Sequence, residues 1–212
     1  MLDILIKNAN IITMNDALPV ISGGCIGIEN GKISFVSDKN SPEMQIATER
    51  IINADGNIVM PGLINTHAHT AMCIMRGYAD DYALNDWLFK KIFPVEGRLT
   101  REAVLAGVRL GIAEMLMFGV TSFTEMYDFC GDIARAALES GICANISRGV
   151  LCFDDSSLSD LQSFRESREL YENWNNVGNG RIKVDMCIHG EYTSTPKVVS
   201  AMAEYAKSLR CN

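Results

Sequence analysis

The sequence predicts an α/β fold, with a small β unit followed by four consecutive β-α units, the number that makes half of a (β/α)8 barrel. Three observations carry this. Residues 1–57 hold short apolar runs separated by Gly, Asn and Asp turn signals. From residue 58 onward, apolar runs of strand length alternate with amphipathic stretches of helix length. Those stretches carry end signals, such as Gly141 after one and Pro196 at the start of another.

The elements follow in order. Leu2–Ile12 reads as a strand, and Gly23-Gly24 as a break before Cys25-Ile-Gly-Ile-Glu. Asn30-Gly31 joins that run to Lys32-Ile-Ser-Phe-Val-Ser, and an Asn-Gly pair between two β runs signals a hairpin because both residues tolerate positive φ. Arg50-Ile-Ile-Asn is a further strand, ending in Asp55-Gly56. The expected domains are therefore a small β domain over 1–57 and the first four β-α units of a barrel over 58–212. In the second domain, strands are expected at Ile58–Ile64 (buried), Val120–Met126, Cys143–Cys152 and Arg181–Ile188. Helices are expected at Leu84–Ile92, Arg101–Phe118, Gly131–Glu139, Ser157–Trp174 and Pro196–Leu209. A half-barrel leaves sheet edges and an apolar helix face uncovered, so the remaining strands come from elsewhere in a longer chain or from a second copy, and a homo-oligomer is expected. The alternative is a complete four-stranded α/β sandwich.

Composition narrows the function. The 212 residues are 48% hydrophobic and 21% charged, which is ordinary for a globular protein. A net charge of −7, with Lys90-Lys91 as the longest basic run, disfavours nucleic acid, whose phosphates demand basic patches. The seven cysteines are odd in number and form no C-x-x-C pair, against a disulfide framework or a zinc ribbon. The N-terminus has Asp3 and no basic region, so no signal peptide is expected, and no run of 18 apolar residues suggests a membrane span. The expected location is the cytoplasm.

One motif carries chemistry. In Pro61-Gly-Leu-Ile-Asn-Thr-His67-Ala-His69, the two histidines stand one residue apart at the end of a strand. Residues two apart on a strand share a face, so both imidazoles are able to reach one metal ion at the strand end where barrel enzymes keep their sites. Neutral imidazole suits zinc and related cations. A lone H-x-H is a weak signal, but the chain has only three histidines and two form this pair.

The segment Pro61–Thr70 resembles the first-strand signature of the amidohydrolase superfamily. Met72, Arg76-Gly77, Asp80-Asp81, Trp87-Leu88, Phe93-Pro-Val-Glu96 and Ser147-Arg148-Gly149 are similar to the branch that deaminates 5-methylthioadenosine and S-adenosylhomocysteine. The resemblance implies a TIM-type metallohydrolase barrel with one catalytic zinc (or iron), held in part by His67 and His69. It implies water attack at C6 of an adenine ring with release of ammonia. Glu96 would bind substrate through ribose hydroxyls, Arg148 would hold a carboxylate tail, and His189 would contact substrate. By themselves these three read as a helix-terminal acid, a surface ion pair and a structural histidine. Glu125 and Asp128, at the end of the second strand, are expected to be solvated. Met72, Met75, Trp87 and Phe93 read as core or as an apolar pocket wall.

The family's third histidine ligand, its glutamate proton shuttle and its metal-binding aspartate belong to strands that this sequence does not contain. The chain alone is therefore expected to be inactive as a deaminase. Related chemistries remain open, namely guanine deamination or triazine chlorohydrolysis, as does a catalytically silent half-barrel that only self-associates.

Overall fold

The computed structural model describes residues 2–211 and divides into two compact units, Met1–Gly62 and Leu63–Asn212. In the first, β1 (Ile4–Ile12), β2 (Val20–Glu29), β3 (Lys32–Ser37), β4 (Arg50–Asn53) and β5 (Ile58–Val59) form one sheet. Its order is β3-β2-β1-β4, with β5 also on β1. β1, β2 and β3 meander antiparallel, whereas β4 and β5 run parallel to β1. The expected Asn30-Gly31 hairpin is present, with φ of 52° and 71°. Gly23-Gly24 does not break the chain. β2 runs through it, and the irregularity is absorbed by Gly23 at φ 66° and a shifted register opposite Ala9.

The boundary between units lies after Gly62, five residues beyond the expected 57/58. The reason is pairing, because Ile58 and Val59 bond to Asn10 and Ile11 of β1 and so belong to the β unit. The expected buried strand over Ile58–Ile64 is consequently two strands, neither of them buried. Ile58 is 64% exposed, and Leu63 and Ile64 are 54% and 67% exposed at the start of β6 (Leu63–Ala68), an edge strand with one neighbour.

The second unit is mixed α/β. After β6 come α1 (Leu84–Asp86), a π-helical turn (Trp87–Ile92), α2 (Phe93–Glu96) and α3 (Arg101–Met117). Then follow β7 (Val120–Met126), α4 (Cys130–Ser140), β8 (Cys143–Ser147), β9 (Gly149–Val150) and α5 (Gln162–Trp174). The short turn α6 (Val177–Gly180), β10 (Ile182–Val184), β11 (Cys187–Ile188) and α7 (Pro196–Leu209) complete it. The strands pair in parallel in the order β10-β8-β7-β6, and β11 pairs in parallel with β9. The strands expected at Cys143–Cys152 and Arg181–Ile188 are each split, at Arg148 and at Asp185-Met186.

Local chemistry explains the helices. The Thr100 hydroxyl accepts the Ala103 amide and caps α3. Gly141 ends α4 at φ 82°, a left-handed position that costs glycine little. The helix expected over Leu84–Ile92 widens into the π turn, where the Phe93 amide reaches back five residues to the Leu88 carbonyl. Pro94 follows and has no amide with which to resume the normal ladder at that point. The helix expected from Ser157 begins at Gln162, because Leu161 is extended after a 3-10 turn at Leu158–Asp160.

The core lies between the parallel strands and their helices. Phe123, Ile146, Ile182 and Val184 from the sheet meet Val104, Val108, Ile133 and Val198 from the helices, all at 0–2% exposure. Burial at that level contributes roughly 1.5–3 kcal/mol for each such side chain. Asp132 ties α3 to α4 through Arg101 at 2.6 Å and also meets Arg135 at 3.4 Å. No helix among the described residues is long and apolar enough to cross a membrane.

Candidate active site

The C-terminal ends of the parallel strands and the loops that follow them enclose a cavity of about 410 Å³. Its wall includes His69 after β6, Glu96 at the end of α2, Arg148 between β8 and β9, and His189 after β11. Four of the five residues singled out from sequence therefore converge on one space. The fifth, His67, touches His69 edge-on, with ring centroids 4.9 Å apart. Met72, Trp87 and Phe93 also line the cavity, and Met75 does not. A second hollow of about 490 Å³ lies on the other side of Arg148. It is walled mainly by α4 and α5 and receives none of the histidines.

The protonation of His69 follows from its partner. Nδ1 lies 2.8 Å from the Met126 carbonyl, which only accepts, so Nδ1 carries the proton and donates it. Nε2 of the neutral ring then keeps its lone pair. A backbone carbonyl on the far nitrogen is the arrangement that orients metal-binding histidines. His67 and His69 are thus two donors of the kind zinc takes. Among the described residues, no group of three or more His, Cys, Asp or Glu side chains is placed to hold a metal.

His189 is oriented in the same manner. The Thr193 hydroxyl gives its proton to the Gly190 carbonyl at 3.0 Å. It must therefore accept at 3.0 Å from His189 Nδ1, which leaves His189 Nε2 as the free acceptor. Burial, followed by the charges of His69 and Arg148, holds the His189 ring below the ordinary histidine range, favouring the neutral form. Phe93 and Tyr192 pack edge-on against it at 6.1 and 6.0 Å.

Glu96 is half-buried. Its Oε1 accepts from the Tyr127 hydroxyl at 2.8 Å, and its Oε2 has no hydrogen-bond partner among the described residues. Burial pushes the Glu96 carboxyl above its ordinary range, against the downward pull of the Tyr127 hydrogen bond. Arg148 is the most engaged of the set. Nε donates to Glu166 at 2.8 Å, and Nη1 meets Asp128 at 2.9 Å and the Gly149 carbonyl at 2.8 Å. Nη2 alone has no partner among the described residues.

Glu125 corrects an expectation. It is not a solvated loop acid but is 0% exposed, on the same face of β7 as the core residue Phe123. Its Oε2 accepts the Thr70 amide at 2.8 Å, so β7 grips the chain immediately after His69, while Met126 holds the His69 ring. The alternation of β7 was the available signal, because Phe123 and Glu125 are two apart. Burial drives the Glu125 carboxyl up to about 7, opposed by the Thr70 hydroxyl and by the Thr70 and Met126 amides. A raised carboxyl stabilises the fold fully below its unfolded value near 4.5, and that contribution is lost as pH rises toward 7. Glu125→Gln is expected to remove a fall in stability of ~2 kcal/mol between pH 5 and pH 7. Melting temperatures at the two pH values test this, and an unchanged difference between them in the variant rejects it.

Comparisons with known proteins bear on the family and the fold. Residues 58–210 match the model of the amidohydrolase family. The 5-methylthioadenosine/S-adenosylhomocysteine deaminase of Acetivibrio thermocellus is 43% identical over 209 residues, covering 98% of this chain and 48% of the relative. The 5′-deoxyadenosine deaminase of Methanosarcina mazei is 38% identical, covering 98% and 47%. The chain spans about half the length of the curated relatives it matches. A zinc-bound adenosine deaminase from Xanthomonas campestris superposes with a TM-score of 0.87 at 27% identity, over 99% of this chain and 48% of the other. Guanine deaminase from C. acetobutylicum shares the fold, with a TM-score of 0.80 at 19% identity over 100% of this chain and 52% of the other. With the family model matching well over half of the sequence, residues 58–210, the chain belongs to the amidohydrolase family.

Proposed function

We propose that this chain is the N-terminal half of a zinc-dependent deaminase acting on adenosine derivatives of the 5-methylthioadenosine and S-adenosylhomocysteine type. The observation that carries the reading is the single cavity shared by His69, Glu96, Arg148 and His189, of a size that small-molecule sites commonly have. The four parallel β-α units form the first half of a (β/α)8 barrel, and the exposed edge of β6 is where barrel closure would cover it. The small β unit and the barrel half are the two domains. A cytoplasmic enzyme suits the seven free cysteines.

His67 and His69 would hold the zinc together with ligands from the other half of the barrel, and the ion would supply a Lewis acid that activates water. The chain's own residues bind and orient. An ionised Glu96 offers Oε2 as an acceptor to neighbouring ribose hydroxyls. Neutral His189 offers Nε2 as an acceptor to a substrate N–H or O–H. Arg148 offers Nη2 to a negatively charged tail, with its plane fixed by Asp128 and Glu166. Phe93 and Trp87 present apolar surface for a base or a thioether.

The test is turnover. The intact protein is expected to release ammonia from 5-methylthioadenosine or S-adenosylhomocysteine. Glu96→Ala is expected to lower kcat/KM for nucleosides by about 10–100-fold, the loss of a hydrogen bond to a charged group. Turnover of guanine or a triazine, with none of any nucleoside, would overturn the reading.

A further inference from the structure

We propose that Tyr127 is a positioning residue that sets ribose recognition by aiming the Glu96 carboxylate. Three observations lead to it. Tyr127 lines the cavity, its ring 6.5 Å from that of His69 and its hydroxyl on Glu96. The 2.8 Å hydrogen bond occupies Oε1 alone, leaving Oε2 for a ligand. Glu96 itself sits at the last position of the continuous helical run Leu84–Glu96, just before Gly97, so its side chain projects from a helix end. Tyr127 immediately follows β7, a strand hydrogen-bonded on both sides, and from there its hydroxyl holds one oxygen of the carboxylate in place.

The chemistry is specific to a diol. A carboxylate whose rotation is stopped by one donor presents its second oxygen in a fixed direction, and two vicinal hydroxyls read that direction. Without Tyr127, the buried carboxyl loses the donor that favours its charged form and is free to rotate. A carboxyl that rotates freely presents no oxygen in a fixed direction and is a poorer acceptor for a diol. The aromatic ring of phenylalanine fills the same space, so Tyr127→Phe removes the hydroxyl while keeping the packing.

The inference rests on the proposed nucleoside deaminase activity, and the experiment separates the two. kcat and KM are measured for the intact protein, Tyr127→Phe and Glu96→Gln, each with adenosine and with 2′,3′-dideoxyadenosine. Tyr127→Phe is expected to raise KM for adenosine about tenfold, the effect of one hydrogen bond to a charged group, with kcat within about twofold. KM for the dideoxynucleoside is expected to stay unchanged, which also reports an intact fold. An equal rise for both substrates, or no rise for either, overturns the role of Tyr127. If Glu96→Gln raises KM for adenosine while Tyr127→Phe does not, the ribose reading stands and the Tyr127 inference falls. If Glu96→Gln affects both substrates alike, the ribose reading itself fails and takes the inference with it.

Discussion

On the proposed zinc centre, alanine at His69, or at His67, is expected to abolish zinc binding by the intact protein. Each imidazole is one of a pair set 4.9 Å apart at the end of a strand, and His69 is already locked in the tautomer that leaves Nε2 open. Losing a partner that merely orients such a ligand costs about 10–100-fold in metal affinity. Losing the ligand itself must cost more, because catalytic zinc commonly takes only three protein donors. Elemental analysis after extensive dialysis is expected to give near one zinc per chain for the intact protein and little for either variant, with deaminase activity falling in parallel. Full zinc retention in His69→Ala would mean that the metal site lies elsewhere. His189→Ala serves as the contrast, since its loss is expected to alter turnover while the zinc stays.

Gly107→Val is expected to destabilise the α/β unit by ~3 kcal/mol or more, at the upper end of the cost of overpacking. Gly107 lies in the middle of α3, where glycine ordinarily costs ~1 kcal/mol against alanine. Its value is proximity. A Cβ there would sit 2.2 Å from the Ala71 carbonyl oxygen and 3.1 Å from Ala71 Cα. Both are backbone atoms, so no side-chain rotation relieves the clash. Four residues on, a Cβ at Gly111 would meet Thr70 Cγ2 at 2.4 Å. The two glycines let the Thr70–Met75 turn lie directly on α3, and that turn starts one residue after His69. Crowding at Gly107 is therefore expected to loosen zinc as well as to lower the denaturation midpoint. Arg109→Ala, on the exposed face of the same helix, is expected to stay within ~0.5 kcal/mol of wild type, because its ion pair with Glu139 is open to solvent. Equal stability of the Gly107 and Arg109 variants in chemical denaturation would refute the packing argument.

Much of the frame was legible without coordinates because it rests on short-range chemistry. The Asn30-Gly31 hairpin, the Gly141 stop and the Pro196 start are local backbone preferences, and each stands where expected. The alternation of β-α units is a periodicity, and it yields the parallel order of β6, β7, β8 and β10. His67 and His69 announce themselves through a two-residue spacing that any strand would turn to one face. Long-range pairing was not legible. Ile58-Val59 reads as the start of a buried strand, yet its partner is β1, nearly fifty residues earlier. Glu125 carries the side chain of a surface acid, and only the Thr70 amide, from the turn after β6, makes its burial tolerable. Tyr127 bears no motif at all, and its hydroxyl acquires meaning when α2 brings Glu96 to within 2.8 Å. Backbone propensity and spacing act over a few residues and so are written along the chain. The satisfaction of a buried polar group depends on which distant strand or helix arrives beside it, and that is decided only when the chain has folded.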